Sequence, residues 1–319
     1  MDPPAHSVDN AEQAAIAAQS RRGLLWGLLG VVIFGLTLPA TRLAVGELDP
    51  VVVTLGRALL AAVLAALTLM IARRPAPRRA DWPRLAAFAA CVVLGFPLQM
   101  AIAMRYAPAA HGGVVLAVLP LLTAMASVWL AGERPSRGFW ACGVLGMAAV
   151  VAYAVLAGAR AGGGAAAVHW ADLLLAGAAV SAATGYALGG ELSRRLGGWE
   201  VISWALVIAA PFVALLCVVL APPINWGASS RVWLGFLYLG VFSQFIGFFA
   251  WNKGLALGGI AKVGQTQLLQ TFVTLAAAAA LLGEPVGVLE LVFSLAVAVL
   301  VALGWRMRVA RAATPSSER

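Results

Sequence analysis

HGGVVLAVLPLLTAMASVWLAGERP, residues 111–135, is an apolar run long enough to cross a bilayer, and it closes on Gly132-Glu133 with Pro135 just beyond. KVGQTQLLQTFVTLAAAAALLGEP, residues 262–285, closes the same way on Gly283-Glu284-Pro285. Glu133 and Glu284 stand 151 positions apart in a chain of 319, close to half its length. One spanning segment written twice at half-chain spacing points to an internal duplication, and the remaining segments fall into place around it.

Hydrophobic residues make up 62% of the chain and charged residues 11%, with a mean hydropathy of +0.92. A soluble domain carries roughly 25% charged residues, so this chain cannot cover a water-facing surface and reads as an integral membrane protein whose solvent is the lipid bilayer. The net charge of +9 sits in short clusters between apolar segments, where it sets topology. No nucleic-acid partner is expected. Cys91, Cys142 and Cys217 lie inside apolar runs without metal-ligand spacing, so they read as packing residues; no metal and no cofactor are expected.

Residues 1–20 are polar and Ala-rich, with Pro3-Pro4, and read as a disordered cytosolic tail. Arg21-Arg22 then precede an apolar run over 24–46. That run exceeds the roughly 7–15 residues of a signal-peptide core, so an uncleaved first membrane helix is expected. Further apolar stretches cover 51–72, 85–107, 112–132, 138–158, 171–192, 200–221, 232–252, 263–282 and 287–305. Each is near the roughly 20 residues that a helix needs to cross the hydrocarbon core, and none alternates with period 2. The expectation is an all-α membrane protein of about ten helices.

Ten helices place 17 of the 22 basic residues on one face and only Arg42, Arg105, Arg160 and Arg231 on the other, with Arg57 inside a span. The positive-inside rule makes the basic face cytoplasmic, with both termini inside, and a bacterial inner membrane is the expected location. Five helices per half turn the second half upside down relative to the first, the inverted-repeat plan of many secondary transporters. The expected division is a first repeat over 21–158, a Gly/Ala-rich linker over 159–169, a second repeat over 170–308 and a cytosolic tail over 309–319.

Several short motifs recur in order along this frame. They are Trp26-Gly27 opening helix 1, Arg57-Ala58 in helix 2, Leu119-Pro120 in helix 4 and Gly132-Glu133-Arg134 after it. In the second half they are Ala171-Asp172-Leu173 opening helix 6, Trp251-Asn252 ending helix 8 and Gly283-Glu284 after helix 9. Together they resemble the drug/metabolite transporter superfamily, in its ten-helix EamA-type form, over about residues 24–305. The counterpart of Pro120 is Thr271, where that family often has proline, so helix 4 carries a bending residue at this position and helix 9 does not. The resemblance implies a transporter, often an exporter, of amino acids or related small metabolites, with a central cavity between the halves. A small-molecule substrate is the implied partner, and a second copy of the chain is an admissible one.

Polar residues inside apolar helices are costly and face a cavity or another helix. Gln267, Gln270, Thr271 and Thr274 form one stripe on helix 9, Ser181 and Thr184 lie on helix 6, and Gln244 lies on helix 8. With Thr37 on helix 1 and Gln99 on helix 3, these are the candidate substrate-path residues; the alternative for each is interhelical hydrogen bonding. Trp26, Arg57 and Trp251 are candidate substrate contacts. Against that, the two tryptophans suit an interfacial belt, and Arg57 suits snorkelling or pairing with loop carbonyls. Glu133 and Glu284 each sit between two helices and read as caps of the helix that follows. His111 reads as solvated, and no acid stands mid-span, so no proton carrier is evident. A membrane-embedded hydrolase is the competing class, but no G-x-S-x-G, H-E-x-x-H or intramembrane Asp pair occurs, and a channel stays open as a third.

Overall fold

The computed structural model describes residues 5–160, 170–305 and 309–311. Ten helical segments follow one another: α1 (Ala18–Glu47), α2 (Pro50–Ile71), α3 (Arg79–Tyr106), α4 (Ala109–Ala131), α5 (Arg137–Arg160), α6 (Trp170–Leu196), α7 (Gly198–Leu220), α8 (Ser230–Gly258), α9 (Ile260–Leu282) and α10 (Val288–Trp305). Eight are long and apolar enough to cross a membrane. In α10 the apolar stretch Val288–Leu300 is shorter, and α5 is a 24-residue helix charged only at its two ends. The polarity distribution is that of a lipid-dissolved protein: Ile71, Trp129 and Val218 are each more than four-fifths exposed on the exterior, while the interior is built largely from alanine.

The helix that becomes α1 begins at Ala5, so described residues of the expected disordered tail are helical, in keeping with their alanine content. The expected linker lies, from residue 161 to 169, outside the described residues. Of the expected cytosolic tail, Val309–Arg311 pairs antiparallel with Glu133–Pro135, two short strands with Glu133 opposite Arg311.

The two halves repeat with opposite polarity. α4 and α9 are both 23 residues long, and each ends on a left-handed glycine, Gly132 at φ 65° and Gly283 at φ 66°. A 3₁₀ turn interrupts both, at Leu116–Val118 and at Gln265–Gln267, so α9 departs from regular helix although it lacks the proline of α4. α3 and α8 each contain a π-helical stretch, Ala90–Gly95 and Leu239–Ile246, which re-aims the side chains beyond it.

Glu133 and Glu284 brace the halves against each other. Glu133 accepts from the backbone N–H groups of Ile260 (2.9 Å) and Ala261 (2.8 Å), which open α9. Glu284 accepts from those of Ala109 (3.0 Å) and Ala110 (2.9 Å), which open α4. Each carboxylate therefore caps a helix of the other repeat, not the helix that follows it. The capping chemistry is as expected and the recipient is not, because the antiparallel packing of α4 on α9 brings the C-terminus of one to the N-terminus of the other. The Glu133 brace lies at the basic end, where Arg194, Arg195, Arg84 and Arg74 pair with Glu133, Asp81, Glu191 and Glu200. The Glu284 brace lies at the opposite end, with Arg105 on Asp49 and the Glu47 carboxylate on Ser229.

α1 crosses α8 through glycines. A Cβ on Gly254 would stand 2.7 Å from the backbone nitrogen of Gly27, so the two backbones touch. Gly254→Val is expected to prevent folded protein from accumulating, whereas Gly46→Ala, with nothing within 4 Å of its added carbon, is expected to be silent. Fluorescence-detected size-exclusion chromatography of detergent extracts distinguishes the two.

Candidate functional site

In α2, Asp49 accepts from Val51 N–H and Pro50 opens the first turn, which fixes where the helix starts. Thr54, Arg57, Ala58, Ala61 and Ala65 then fall on one buried face. Arg57 is 2% exposed, and its Nη2 donates to Ser243 Oγ at 3.2 Å. Ser243 lies in the π-helical stretch of α8 and stands 2.9 Å, oxygen to oxygen, from Thr37 of α1. Arg57 Nε has no partner, and among the described residues no carboxylate lies within ion-pair distance of the guanidinium. The expectation that Arg57 snorkels or bonds loop carbonyls is therefore corrected. It is about two turns into the span and faces inward, where only a hydroxyl meets it.

Tyr186 of α6 lies within electrostatic range of Arg57 and beside Gln267. Its ring is also part of an aromatic cluster with Phe34 of α1 and Phe248 and Trp251 of α8. The centroids are 5.2 Å apart for Tyr186–Trp251, 5.1 Å for Phe34–Phe248 and 6.1 Å for Phe34–Trp251. Trp251 is fully buried, not part of an interfacial belt, and its indole N–H has no partner. Sequence reasoning missed Phe34, Tyr186, Ser243 and Phe248. Aromatics and a serine in an apolar helix carry no signal of their own until the facing helices are known.

The polar stripe of α9 splits in two. Thr271 donates to Gly113 C=O at 3.2 Å and Thr274 to Gly35 C=O at 2.8 Å, so both hydroxyls join α9 to neighbouring helices. Gln267 has neither amide atom hydrogen-bonded, and Gln270 Oε1 is likewise unpartnered. All four line a narrow crevice closed by Leu38 and Gly113. An unpaired buried amide costs about 1–3 kcal/mol, whereas a typical hydrogen bond contributes only about 1 kcal/mol. Thr274→Val is thus expected to lower stability by about 1 kcal/mol and to leave solute flux within about twofold of the parent. Gln267→Leu is expected to cost no stability and to reduce flux at least about tenfold. Thermal denaturation and flux measured on the same reconstituted preparations separate the two.

Other candidates fall elsewhere. Gln99 Nε2 donates to Gly95 C=O at 3.0 Å and to Ser181 Oγ at 3.3 Å, a bridge between α3 and α6. Gln244 Nε2 donates to Val92 C=O at 3.1 Å, so the π-helical stretches of the two repeats meet through that amide. Thr184, half-buried one turn from Ser181, bonds to neither group. Trp26 is at the basic end, with Lys253 Nζ 4.2 Å from its ring centroid, away from the central group. His111 is not simply solvated: its Nε2 lies 2.6 Å from Asp172 Oδ1. Glu191 makes its short contact with Arg84 at 2.7 Å and a longer one with Arg195 at 4.0 Å, while Arg194 Nη2 lies 3.5 Å from Glu133. Among the described residues no three His, Cys, Asp or Glu side chains gather to hold a metal.

The site thus offers a buried cation with no counter-charge among the described residues, unpaired amides and an aromatic wall, contributed by helices of both repeats. Comparison with known proteins gives concordant matches. The EamA-like transporter family matches twice, over residues 21–155 and 169–305. A relative from Bacillus subtilis (strain 168), named an uncharacterized transporter, YdeK, is 41% identical over 289 residues, 90% of this chain and 98% of that one. An aromatic amino acid exporter from Ancylobacter novellus, YddG, is 32% identical over 163 residues, 51% of this chain and 55% of its own. A solved crystal structure superposes with a TM-score of 0.65 at 21% identity, covering 88% of this chain and 95% of the other, which bears on the fold alone.

Proposed function

The chain belongs to the EamA-like transporter family, a multi-pass membrane transporter, and from that premise we propose that it exports small carboxylates with an aromatic or apolar body. The observation that carries this reading is Arg57, a cation inside a span with no carboxylate within ion-pair distance among the described residues. A charge at the centre of a bilayer costs about 2.5–3.5 kcal/mol even on the mildest scales, and an anionic substrate offsets that cost only while bound. Phe34, Tyr186, Phe248 and Trp251 supply a surface for an aromatic body, and Gln267 supplies a buried amide beside Tyr186. Aromatic amino acids fit this set, in line with the name of the Ancylobacter relative.

Transport proceeds by alternating access. The two repeats rock about the central group, and the Glu133 and Glu284 braces part in turn at the two ends. The basic end faces the cytoplasm of a bacterial inner membrane, and both termini lie there. Nothing in the sequence supplies a phosphate-binding loop, so the driving force is a gradient. The test is counterflow of radiolabelled L-tryptophan in proteoliposomes holding the purified chain. The expected result is saturable exchange that indole-3-acetate competes and tryptamine, which lacks the carboxylate, does not. Absence of exchange, or equal competition by tryptamine, overturns the reading.

A further inference from the structure

Away from the central site, four titratable side chains from four helices meet at the end opposite the basic one. His111 stands at the start of α4, and its Nε2 is 2.6 Å from Asp172 Oδ1 on α6, with side-chain exposures of 17% and 10%. The imidazole lies against Tyr153 of α5, ring centroids 5.6 Å apart. Tyr153 is buried, and its hydroxyl donates to Glu290 Oε1 of α10 at 3.4 Å. Glu290 Oε2 in turn accepts from the Gly287 N–H at 2.9 Å. From α9, Glu284 holds the Ala109 and Ala110 N–H groups just before His111. Three arginines at this end have partners of their own: Arg42 of α1 donates to Met104 C=O, Arg105 of α3 pairs with Asp49, and Arg231 of α8 donates to Leu281 C=O at 2.7 Å. The polar groups that His111 meets among the described residues are the Asp172 carboxylate and the Tyr153 phenol.

We propose that His111 is a proton-binding site through which the pH of the outer solution controls transport. Histidine is the side chain whose charge changes across physiological pH. Without the proton, the imidazole can only donate an N–H to the Asp172 carboxylate; with it, the Coulomb attraction between two opposite charges is added to that hydrogen bond. His111 belongs to the first repeat and Asp172 to the second, so the contact clamps the halves at the end where substrate leaves. Acid outside strengthens the clamp and slows opening; neutral or alkaline conditions relax it. Tyr153, whose hydroxyl bonds Glu290, lies against the imidazole.

The proposal rests on the transport reading, and its test separates the two. L-Tryptophan counterflow is measured with the outer solution at pH 5.5 or 7.5 and the lumen fixed. The wild type is expected to run at least about threefold slower at pH 5.5, and His111→Asn and Asp172→Asn are both expected to abolish the difference. A flat wild-type profile, or His111→Asn keeping the wild-type profile, overturns the proposal. If exchange fails at every pH the transport reading falls, and ¹⁵N NMR of the full chain carrying His6→Asn and His169→Asn decides the site. An imidazole that titrates between pH 5 and 8, with a midpoint moved by Asp172→Asn, sustains proton binding at His111; one that does not titrate, or ignores Asp172, removes it.

Discussion

Arg57→Met is expected to abolish carboxylate-selective exchange while leaving the protein at least as heat-stable as the parent. The two halves of that expectation have one cause. In the resting protein the guanidinium is fully buried, meets one serine hydroxyl and leaves its Nε unpaired, so it contributes little to stability. Replacing a buried charged group by an apolar one of similar volume is often neutral or stabilising, whereas removing the binding partner of a carboxylate is not. A charge-assisted hydrogen bond to substrate is worth about 1.5–3 kcal/mol, which corresponds to roughly 10- to 150-fold in affinity. Arg57→Lys keeps the charge but loses the planar fork that reaches Ser243 and a carboxylate together, so it is expected to be rescued only by raised substrate. The checks are the exchange rate against L-tryptophan concentration and the melting temperature in detergent. Exchange within twofold of wild type in Arg57→Met would make the arginine a structural residue.

Glu133→Ala is expected to destabilise the protein by about 3–5 kcal/mol, more than any other single carboxylate removal at the helix ends. The side chain is 2% exposed, it holds two N–H groups of α9, and Arg194 Nη2 lies 3.5 Å from it. Its loss leaves the two N–H groups of Ile260 and Ala261 without that acceptor at a buried position. Glu284→Ala removes the corresponding pair of hydrogen bonds at the other end, but there the carboxylate is only partly buried and, among the described residues, no arginine is paired with it. A loss of about 1–2 kcal/mol is expected. Denaturation of the two variants side by side tests the asymmetry, and Glu133→Gln, which keeps one acceptor oxygen, should fall between wild type and Glu133→Ala. Equal losses for the two alanine variants would show that burial does not decide the cost.

The duplication, the helix spans and the inversion were legible because they rest on hydropathy and on the spacing of charges, quantities that a linear chain displays. The site was legible only in part. Arg57, Gln267 and Gln270 stand out as polar residues in apolar helices, and each is in the central group or its crevice. Thr271 and Thr274 carry the same signal but spend their hydroxyls on backbone carbonyls of α4 and α1, a distinction that depends on which helix stands opposite. Trp251 was assigned to a belt because it lies towards the end of its span, yet the close crossing of α1 on α8 draws it inside. His111 gave no sign of its partner because Asp172 is 61 residues away in the other repeat.

The paired braces also bear on how the protein is made. The amides of Ala109 and Ala110 leave the ribosome long before Glu284, 175 residues ahead in the case of Ala109. At about 5–20 residues per second, that interval lasts roughly 9–35 s of translation. Throughout it, α4 waits in the membrane with an open N-terminus. The first half therefore gains the acceptor for its α4 amides only once the chain has been made as far as Glu284, and a message stalled before that point leaves the brace unformed.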